Sequence, residues 1–357
     1  MTKVAINGFG RIGRLFLKQS LSNKDFEVVA INDLGDLENL AYLLKYDTVY
    51  GNWDQDVKTD GSVSSPQGSR LLVNGKKIKF LQMKDATLLP WKKLGIDIVI
   101  EATGVFESYE KAKVHINAGA KRVVITAPAK DDDGPVRSPD GDHRASTGGK
   151  TVLMGVNENE MKKVFITSNG SCTTNAASPV IQVLSDNPGI KKAVLSTVHG
   201  YTATQSIVDG PVKGSDFRRG RAAAQNIVLS TTGAAIAVTR AISELTGKFD
   251  GVSFRVPTVA GSIADITFVS KRKTSVEEIN EILRKAANSS KWRGIMKATE
   301  EQLVSSDILG QPYGAIVDLS FTKVIDGDLV KVLSWYDNEA GYVSTLIRHV
   351  TSVARLV

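Results

Sequence analysis

The 357-residue chain holds one cysteine, Cys172, in the run Ser171-Cys172-Thr173-Thr174-Asn175, where a strand-like segment gives way to a helical one. A thiol at a helix start meets unpaired backbone N–H groups and the positive end of the helix dipole, and both favour thiolate. A buried structural thiol is the competing reading, since free cysteine is among the most buried residue types. Four small polar neighbours suit the mouth of a pocket better. Twenty-seven residues on, His199 closes the apolar run Ala193-Val194-Leu195-Ser196-Thr197-Val198 and is the candidate acid/base partner, with a structural histidine as the alternative. The other histidines fit plainer roles: His115 in a surface-type helix, His143 in a polar stretch and His349 in the last helical run.

The chain opens with a second chemistry. Gly8-Phe9-Gly10-Arg11-Ile12-Gly13 matches G-x-G-x-x-G, a weak signal alone, but it follows a strand pattern at 3–7 and opens a helical pattern at 11–21. The first glycine permits a tight turn, the second lets backbone approach a pyrophosphate, and the third allows close helix-to-strand packing. Asp33, 20 residues after Gly13, ends the next strand pattern, where a carboxylate accepts ribose hydroxyls and repels a 2′-phosphate. That favours NAD over NADP. A flavodoxin-like unit with Asp33 as a cap is the plainer alternative. Thiol and hydride chemistry together point to an oxidoreductase that works through a thioester, and nothing in the pattern calls for a metal.

These groups need elements to position them. The first 130 residues alternate strand-like and helical runs, with strands expected at 3–7, 27–32, 96–101, 122–126 and 164–168 and a helix at 107–118. That alternation signals a parallel sheet. Residues 130–150 break it with Asp131-Asp132-Asp133-Gly134-Pro135 and Ser138-Pro139-Asp140-Gly141-Asp142, which read as a solvated surface excursion or a regulatory or subunit contact. After Cys172 come a four-turn helix towards Asn187, a strand at 191–199, a Gly- and Arg-containing loop at 200–221, strand-like runs at 251–255, 263–270, 315–322 and 329–336, and a helix at 343–356. The expected fold class is α/β: a Rossmann-type doubly wound parallel sheet plus an α+β catalytic domain with a mixed, largely antiparallel sheet. We expect an NAD-binding domain over 1–171, completed by the C-terminal helix 338–357, and a catalytic domain over 172–337.

Composition sets bounds. With 42% hydrophobic and 23% charged residues the chain reads as an ordinary soluble protein with room for two cores. One cysteine cannot form an internal disulfide, and no signal peptide or eighteen-residue apolar run is present, so a cytoplasmic protein with no membrane partner is expected. The net charge of +7 favours anionic partners, whether phosphorylated metabolites, a dinucleotide or nucleic acid. The basic clusters, Arg218-Arg219-Gly220-Arg221 and Lys271-Arg272-Lys273, are short.

Several motifs, in order along nearly the whole chain, resemble the phosphorylating glyceraldehyde-3-phosphate dehydrogenase family. They are Asn7-Gly8-Phe9-Gly10-Arg11-Ile12-Gly13-Arg14, Ala102-Thr103-Gly104-Val105-Phe106, Ser171-Cys172-Thr173-Thr174-Asn175, Thr231-Thr232-Gly233-Ala234-Ala235, Phe254-Arg255-Val256-Pro257-Thr258 and Tyr336-Asp337-Asn338-Glu339. The resemblance implies that Cys172 attacks the aldehyde of glyceraldehyde 3-phosphate, that His199 moves the proton, and that inorganic phosphate releases an acyl phosphate. It implies a cofactor site of Asn7, Gly8, Gly10, Arg11, Ile12, Gly13, Asp33, Thr103 and Gly104, with Asn338 on the nicotinamide. Thr202, Thr204 and Arg219 would line one phosphate site, and Ser171, Thr173, Thr232 and Gly233 the other, with Arg255 between them. The segment 200–225 resembles the family's S-shaped loop, which reaches a neighbouring subunit's cofactor, so a homotetramer is implied. Asp209-Gly210-Pro211 resembles NAD-using members.

The chain departs from the family pattern at Ala176, where a second cysteine is usual, at Ala340 in place of tryptophan, at Gly200 in place of alanine, and in the long 130–150 segment. These departures bear on rate, cofactor affinity and subunit contacts, but no catalytic group is lost and the reaction class stands. Two other functions stay open. Erythrose-4-phosphate dehydrogenase, a sister with the same nucleophile, hydrolyses the acyl intermediate. A nucleic-acid-binding protein with secondary catalysis rests only on the positive charge, so nucleic acid is not expected as the main partner.

Overall fold

Residues 4–7 of the first strand are buried on both faces, as a strand covered by helices on either side requires. The structure is a computed structural model that describes residues 1–61, 68–136 and 147–357; His143 and Ser138–Asp142 of the polar segment lie outside them. The first part of the chain runs β1 (Thr2–Asn7), α1 (Arg11–Ser20), β2 (Phe26–Asn32), α2 (Leu37–Lys45), β3 (Val57–Asp60), β4 (Ser69–Val73), β5 (Lys76–Leu81), α3 (Trp91–Leu94), β6 (Ile98–Glu101), α4 (Tyr109–Asn117), β7 (Arg122–Ile125), β8 (Gly134–Val136), β9 (Thr147–Thr151) and β10 (Ile166–Ser168). The sheet order is β3-β4-β5-β2-β1-β6-β7-β10-β9-β8. From β5 to β9 every neighbouring pair is parallel, and antiparallel strands close both edges. The order reverses at β1, which pairs with β2 on one side and β6 on the other, and such a reversal opens a crevice at the carboxyl ends of the strands. One face is packed by Trp91, Ile96, Val99, Tyr109, Ala112 and Val123.

The second part runs α5 (Cys172–Asp186), β11 (Ile190–Gly200), β12 (Val228–Thr231), α6 (Ala234–Ala241), β13 (Phe249–Val256), β14 (Ser262–Ser270), α7 (Val276–Asn288), β15 (Met296–Thr299), β16 (Ala315–Ile325), β17 (Leu329–Tyr336) and α8 (Ala340–Ala354). Its sheet order is β12-β13-β11-β14-β17-β16-β15. The β11–β13 and β15–β16 pairs are parallel and the rest antiparallel, the mixed sheet that the sequence led us to expect. Helices α5, α6 and α7 pack against its strands. The register of β11, β13 and β12 sets Val194, Val198, Val252 and Leu229 on one shared face, and all four side chains are exposed. Two compact units result: 1–152 with 158–170 and 346–357, and 153–157 with 171–345. Helix α8 contributes to both.

The described residues of the 130–150 segment, 130–136 and 147–150, include paired strands and engaged side chains. Strands β8 and β9 pair at the sheet edge, and the aspartates at its start are engaged. Asp131 caps α4, accepting from the N–H groups of Tyr109 at 2.8 Å and Glu110 at 3.0 Å. Asp133 accepts from the Tyr109 hydroxyl at 2.8 Å and from the Thr151 N–H at 3.1 Å. The turn-forming aspartates here are local hydrogen-bond acceptors. The sequence reading also passed over α2, the β3–β5 meander and α7. Helix α7 carried a signal, Ser275-x-x-Glu278, whose serine does accept from the Glu278 N–H at 3.2 Å.

Candidate active site

Helix α5 starts at Cys172 because Ser171 ends the helix with a reciprocal cap. Its hydroxyl accepts from the Thr174 N–H, and the Thr174 hydroxyl accepts from the Ser171 N–H, each at 3.1 Å. The thiol therefore sits at the first helical position, and its Sγ lies 3.4 Å from His199 Nε2. His199 is buried near the end of β11, and its Nδ1 lies 2.6 Å from the Gly200 carbonyl. The tautomer with Nδ1 donating to that carbonyl is the one that leaves Nε2 bare and facing sulfur. Arg255 reaches the same spot from β13, with one guanidinium nitrogen 2.7 Å from Nδ1 and 3.4 Å from the Gly200 carbonyl.

Burial pushes the Cys172 thiol up, and the Arg255 charge together with the Thr173 hydroxyl and N–H pulls it back. Burial, helped by Arg255, holds His199 down at about 3. Burial thus disfavours charge on both members of the pair and works against the thiolate that the helix start favours. Tyr336, absent from the expected site, stands beside the pair: its hydroxyl bonds Thr173 Oγ1 at 2.8 Å and Thr197 Oγ1 at 2.6 Å, and its ring meets His199 edge-on at 5.9 Å. Burial pushes its phenol above the ordinary range, so it stays a neutral donor.

The expected phosphate ligands fall into groups. Thr202 and Thr204 touch through their hydroxyls at 3.0 Å, and Arg219 donates to Thr204 and to Ser230, each at 2.9 Å. Ser171 and Thr173 share the α5 start, while Thr232 and Gly233 stand at the start of α6, where Thr232 accepts from the Ala234 N–H. Among the described residues the Nε of Arg255 and the Nε2 of Gln205 are buried donors without partners. Buried cationic and amide donors left open are what an anion would satisfy. Gln205, which also fixes the Thr202 N–H through its Oε1 at 3.3 Å, was not legible as a site residue.

Asn338 is fixed by the Gly261 N–H at 2.9 Å and the Ser262 hydroxyl at 3.2 Å, both given to its Oδ1. Gly200 is held firmly: its N–H donates to Ser262 Oγ at 3.3 Å, and a Cβ there would lie 2.9 Å from the Thr258 carbonyl. Glycine here lets two backbones approach. Ala340 begins α8 with its N–H on Asp337 Oδ1 at 2.9 Å, and Ala176 is fully buried in α5.

The dinucleotide motif lies in the first unit. Gly8 has φ +98°, and a Cβ there would lie 2.6 Å from the Ala102 carbonyl carbon; at Gly13 a Cβ would collide with the Gly8 oxygen. At Gly10, the N-cap of α1, a Cβ would meet nothing, so the space over the helix start is open to a pyrophosphate. Asp33 accepts from the N–H groups of Phe9 at 2.6 Å and Gly35 at 2.7 Å, tying the glycine turn to the end of β2. Arg11 directs its guanidinium to Asp47 at 2.7 Å, and Ile12 follows it in the first turn of α1. Thr103 and Gly104 follow β6, with the Thr103 N–H on Glu101 Oε1 at 2.8 Å. These features fit NAD. The Asn7 side chain is taken up by Glu101 and Asn32. His115 is not on a surface-type face but fully buried.

Comparison with known proteins agrees with this geometry. Residues 2–109 match the description "Glyceraldehyde 3-phosphate dehydrogenase, NAD binding domain" and residues 171–338 match "Glyceraldehyde 3-phosphate dehydrogenase, C-terminal domain". The chain is 44% identical to the glyceraldehyde-3-phosphate dehydrogenase of Clostridium pasteurianum, covering 100% of this chain and 99% of the relative. It is 45% identical to that of Geobacillus stearothermophilus, covering 95% and 94%, and 43% identical to glyceraldehyde-3-phosphate dehydrogenase 1 of Kluyveromyces lactis, covering 98% and 100%. With both halves matched and full-length relatives in bacteria and yeast, the chain belongs to the glyceraldehyde-3-phosphate dehydrogenase family, an NAD-dependent group of oxidoreductases.

Proposed function

We propose that the chain converts glyceraldehyde 3-phosphate, inorganic phosphate and NAD to 1,3-bisphosphoglycerate and NADH through a thioester on Cys172. The observation that carries this reading is the Sγ–Nε2 contact of 3.4 Å beside the half-buried Arg255. As sulfur bonds to the aldehyde carbon, Nε2 accepts the thiol proton and passes it to the carbonyl oxygen. Bound NAD supplies the acceptor for the hydride that leaves this carbon. His199 takes the hydroxyl proton as the thioester carbonyl forms. A phosphate oxygen then bonds to that carbon, the C–S bond breaks, and the imidazolium returns a proton to sulfur while the phosphate proton goes to solvent.

The side chains suit these tasks. Thr202, Thr204 and Arg219 make one cluster of donors for a phosphate, and Ser171, Thr173, Thr232 and Gly233 offer a second, with the open Nε of Arg255 available to either. The Nδ2 of Asn338 would hold the nicotinamide carboxamide, since its Oδ1 is already engaged. Asp33 would take the ribose hydroxyls. The first unit serves the dinucleotide and the second the thiol chemistry.

A homotetramer is supported by the exposed apolar face of β11, β12 and β13 and by Ile207, Val208 and Phe217, all exposed in the 200–225 loop. Among the described residues no helix is long and apolar enough to cross a membrane. We place the protein in the cytoplasm, where a reactive thiol persists reduced. The full-length relatives are named for the glyceraldehyde enzyme, which does not favour the hydrolytic sister or a nucleic-acid role.

The test is NADH formation from glyceraldehyde 3-phosphate and NAD, with and without phosphate, on the wild type and Cys172→Ala. Turnover that requires phosphate and vanishes in the variant is expected. Turnover indifferent to phosphate would replace this reading with the hydrolytic one.

A further inference from the structure

A row of buried polar side chains crosses the carboxyl edge of the parallel sheet and has no part in the chemistry above. Its members, Asn32, Asn7 and Glu101, are the last residues of β2, β1 and β6, and the strand register aligns all three. Each is at most 5% exposed. Asn32 Nδ2 donates to Asn7 Oδ1 at 2.8 Å and to the Met83 carbonyl at 3.0 Å, while its Oδ1 accepts from the Met83 N–H at 2.9 Å. Asn7 Nδ2 donates to Glu101 Oε2 at 2.7 Å. Glu101 Oε1 accepts from both the N–H and the hydroxyl of Thr103.

The row is anchored from α4 and α3. The His115 Nε2 lies 2.9 Å from Glu101 Oε2, and the Trp91 indole N–H donates to His115 Nδ1 at 3.2 Å. Trp91 and His115 have no exposed surface. Indole is only a donor, so His115 Nδ1 must be the bare nitrogen and Nε2 carries the proton that Glu101 accepts. Tautomer and ring orientation are both settled by Trp91. Glu101 thus accepts four hydrogen bonds and has no lone-pair direction to spare.

Each member of the row also immediately precedes a loop of the dinucleotide cradle: Asn7 leads to Gly8, Asn32 to Asp33, and Glu101 through Ala102 to Thr103. We propose that the row Asn32–Asn7–Glu101, locked by His115 and Trp91, is a positioning device that holds the three loops at the spacing NAD requires. It deepens the cofactor assignment and rests on it. Fixing the loops before binding removes an ordering cost that the cofactor would otherwise meet. The residues are positioning residues, because none of their side chains is left to touch the ligand.

The test compares full-length Trp91→Phe, His115→Leu and His115→Gln with the wild type, measuring NAD dissociation constants by titration calorimetry and the KM and kcat for each substrate. Trp91→Phe keeps the ring packing and removes one donor, and NAD should bind about 3- to 10-fold more weakly. His115→Leu orphans the indole N–H and leaves Asn7 as the remaining donor to Glu101 Oε2, and the loss should reach about 10- to 100-fold. His115→Gln, which can accept from the indole and donate to the carboxylate, should recover most of it. In each case kcat at saturating NAD and KM for the aldehyde should stay within about two-fold, because a preorganisation defect is overcome by mass action. NAD affinity unchanged in Trp91→Phe, or a fall in kcat as large as the rise in KM, overturns the proposal. A Trp91→Phe protein that fails to fold also overturns it, assigning the row to stability instead. If the wild type itself binds no NAD, the cofactor reading fails, a result distinct from any of these.

Discussion

A buried imidazole held near pH 3 is a poor proton acceptor until something offsets the guanidinium beside it. Removing that charge tests the coupling. In Arg255→Gln the His199 titration, followed by NMR of labelled imidazole, should move up from about 3 towards its ordinary 6.5, because a positive neighbour disfavours the protonated ring. Turnover should fall by about 10²-fold or more with the loss of a preorganised cation at the reacting centre. A titration that does not move would show that burial alone sets it. At this scale the sequence was informative where a rare residue type stood in a rare setting, as with Cys172 and His199. It was silent on Tyr336, whose partners Thr173 and Thr197 lie 163 and 139 residues away and become neighbours only through folding. His115 misled for a related reason: the weak amphipathic pattern of α4 does not reveal which face meets Trp91.

Side-chain acceptors mark where α4 and α5 begin. Asp131→Ala removes acceptors from two N–H groups at the start of α4 and should cost about 1 kcal/mol, read as a lower urea midpoint with turnover nearly intact. Thr174→Val breaks one half of the reciprocal cap at α5 and should cost a similar amount, here with a change in the alkylation rate of Cys172, since the thiol rides on that first turn. A midpoint unchanged in Asp131→Ala would mean that the paired strands β8 and β9 hold the helix without it. Strands and helices near the motifs were legible because their periodicity was strong and bounded by glycine or proline. The β3–β5 meander was not, because edge strands bury one face only and their polar alternation resembles loop composition.

For the chain as a whole, the buried histidines dictate the direction of pH dependence. His199 and His349 are both held at about 3, mainly by burial, against 6.5 when exposed. Between these values the unfolded chain binds protons that the folded chain refuses, so stability is complete above about pH 6.5 and is lost as pH falls towards 3. The slope should be about 1.4 kcal/mol per pH unit for each histidine. His349→Gln should lower the urea midpoint at pH 7.5 yet flatten its decline between pH 6.5 and 4; a parallel shift at every pH would count against this account. Association offers a second check, in which Val252→Lys on the open sheet face should shift light-scattering mass from the proposed tetramer to a smaller species. That such a face existed could not be read from sequence, because its valines and leucine come from three strands that alternate in and out. One consequence of the chain's sole thiol concerns measurement. With Ala176 where the family usually has a second sulfur, each equivalent of a thiol reagent consumed counts one Cys172, so colorimetric titration reports the concentration of intact active centres directly, and the mass of any covalent adduct needs no site mapping.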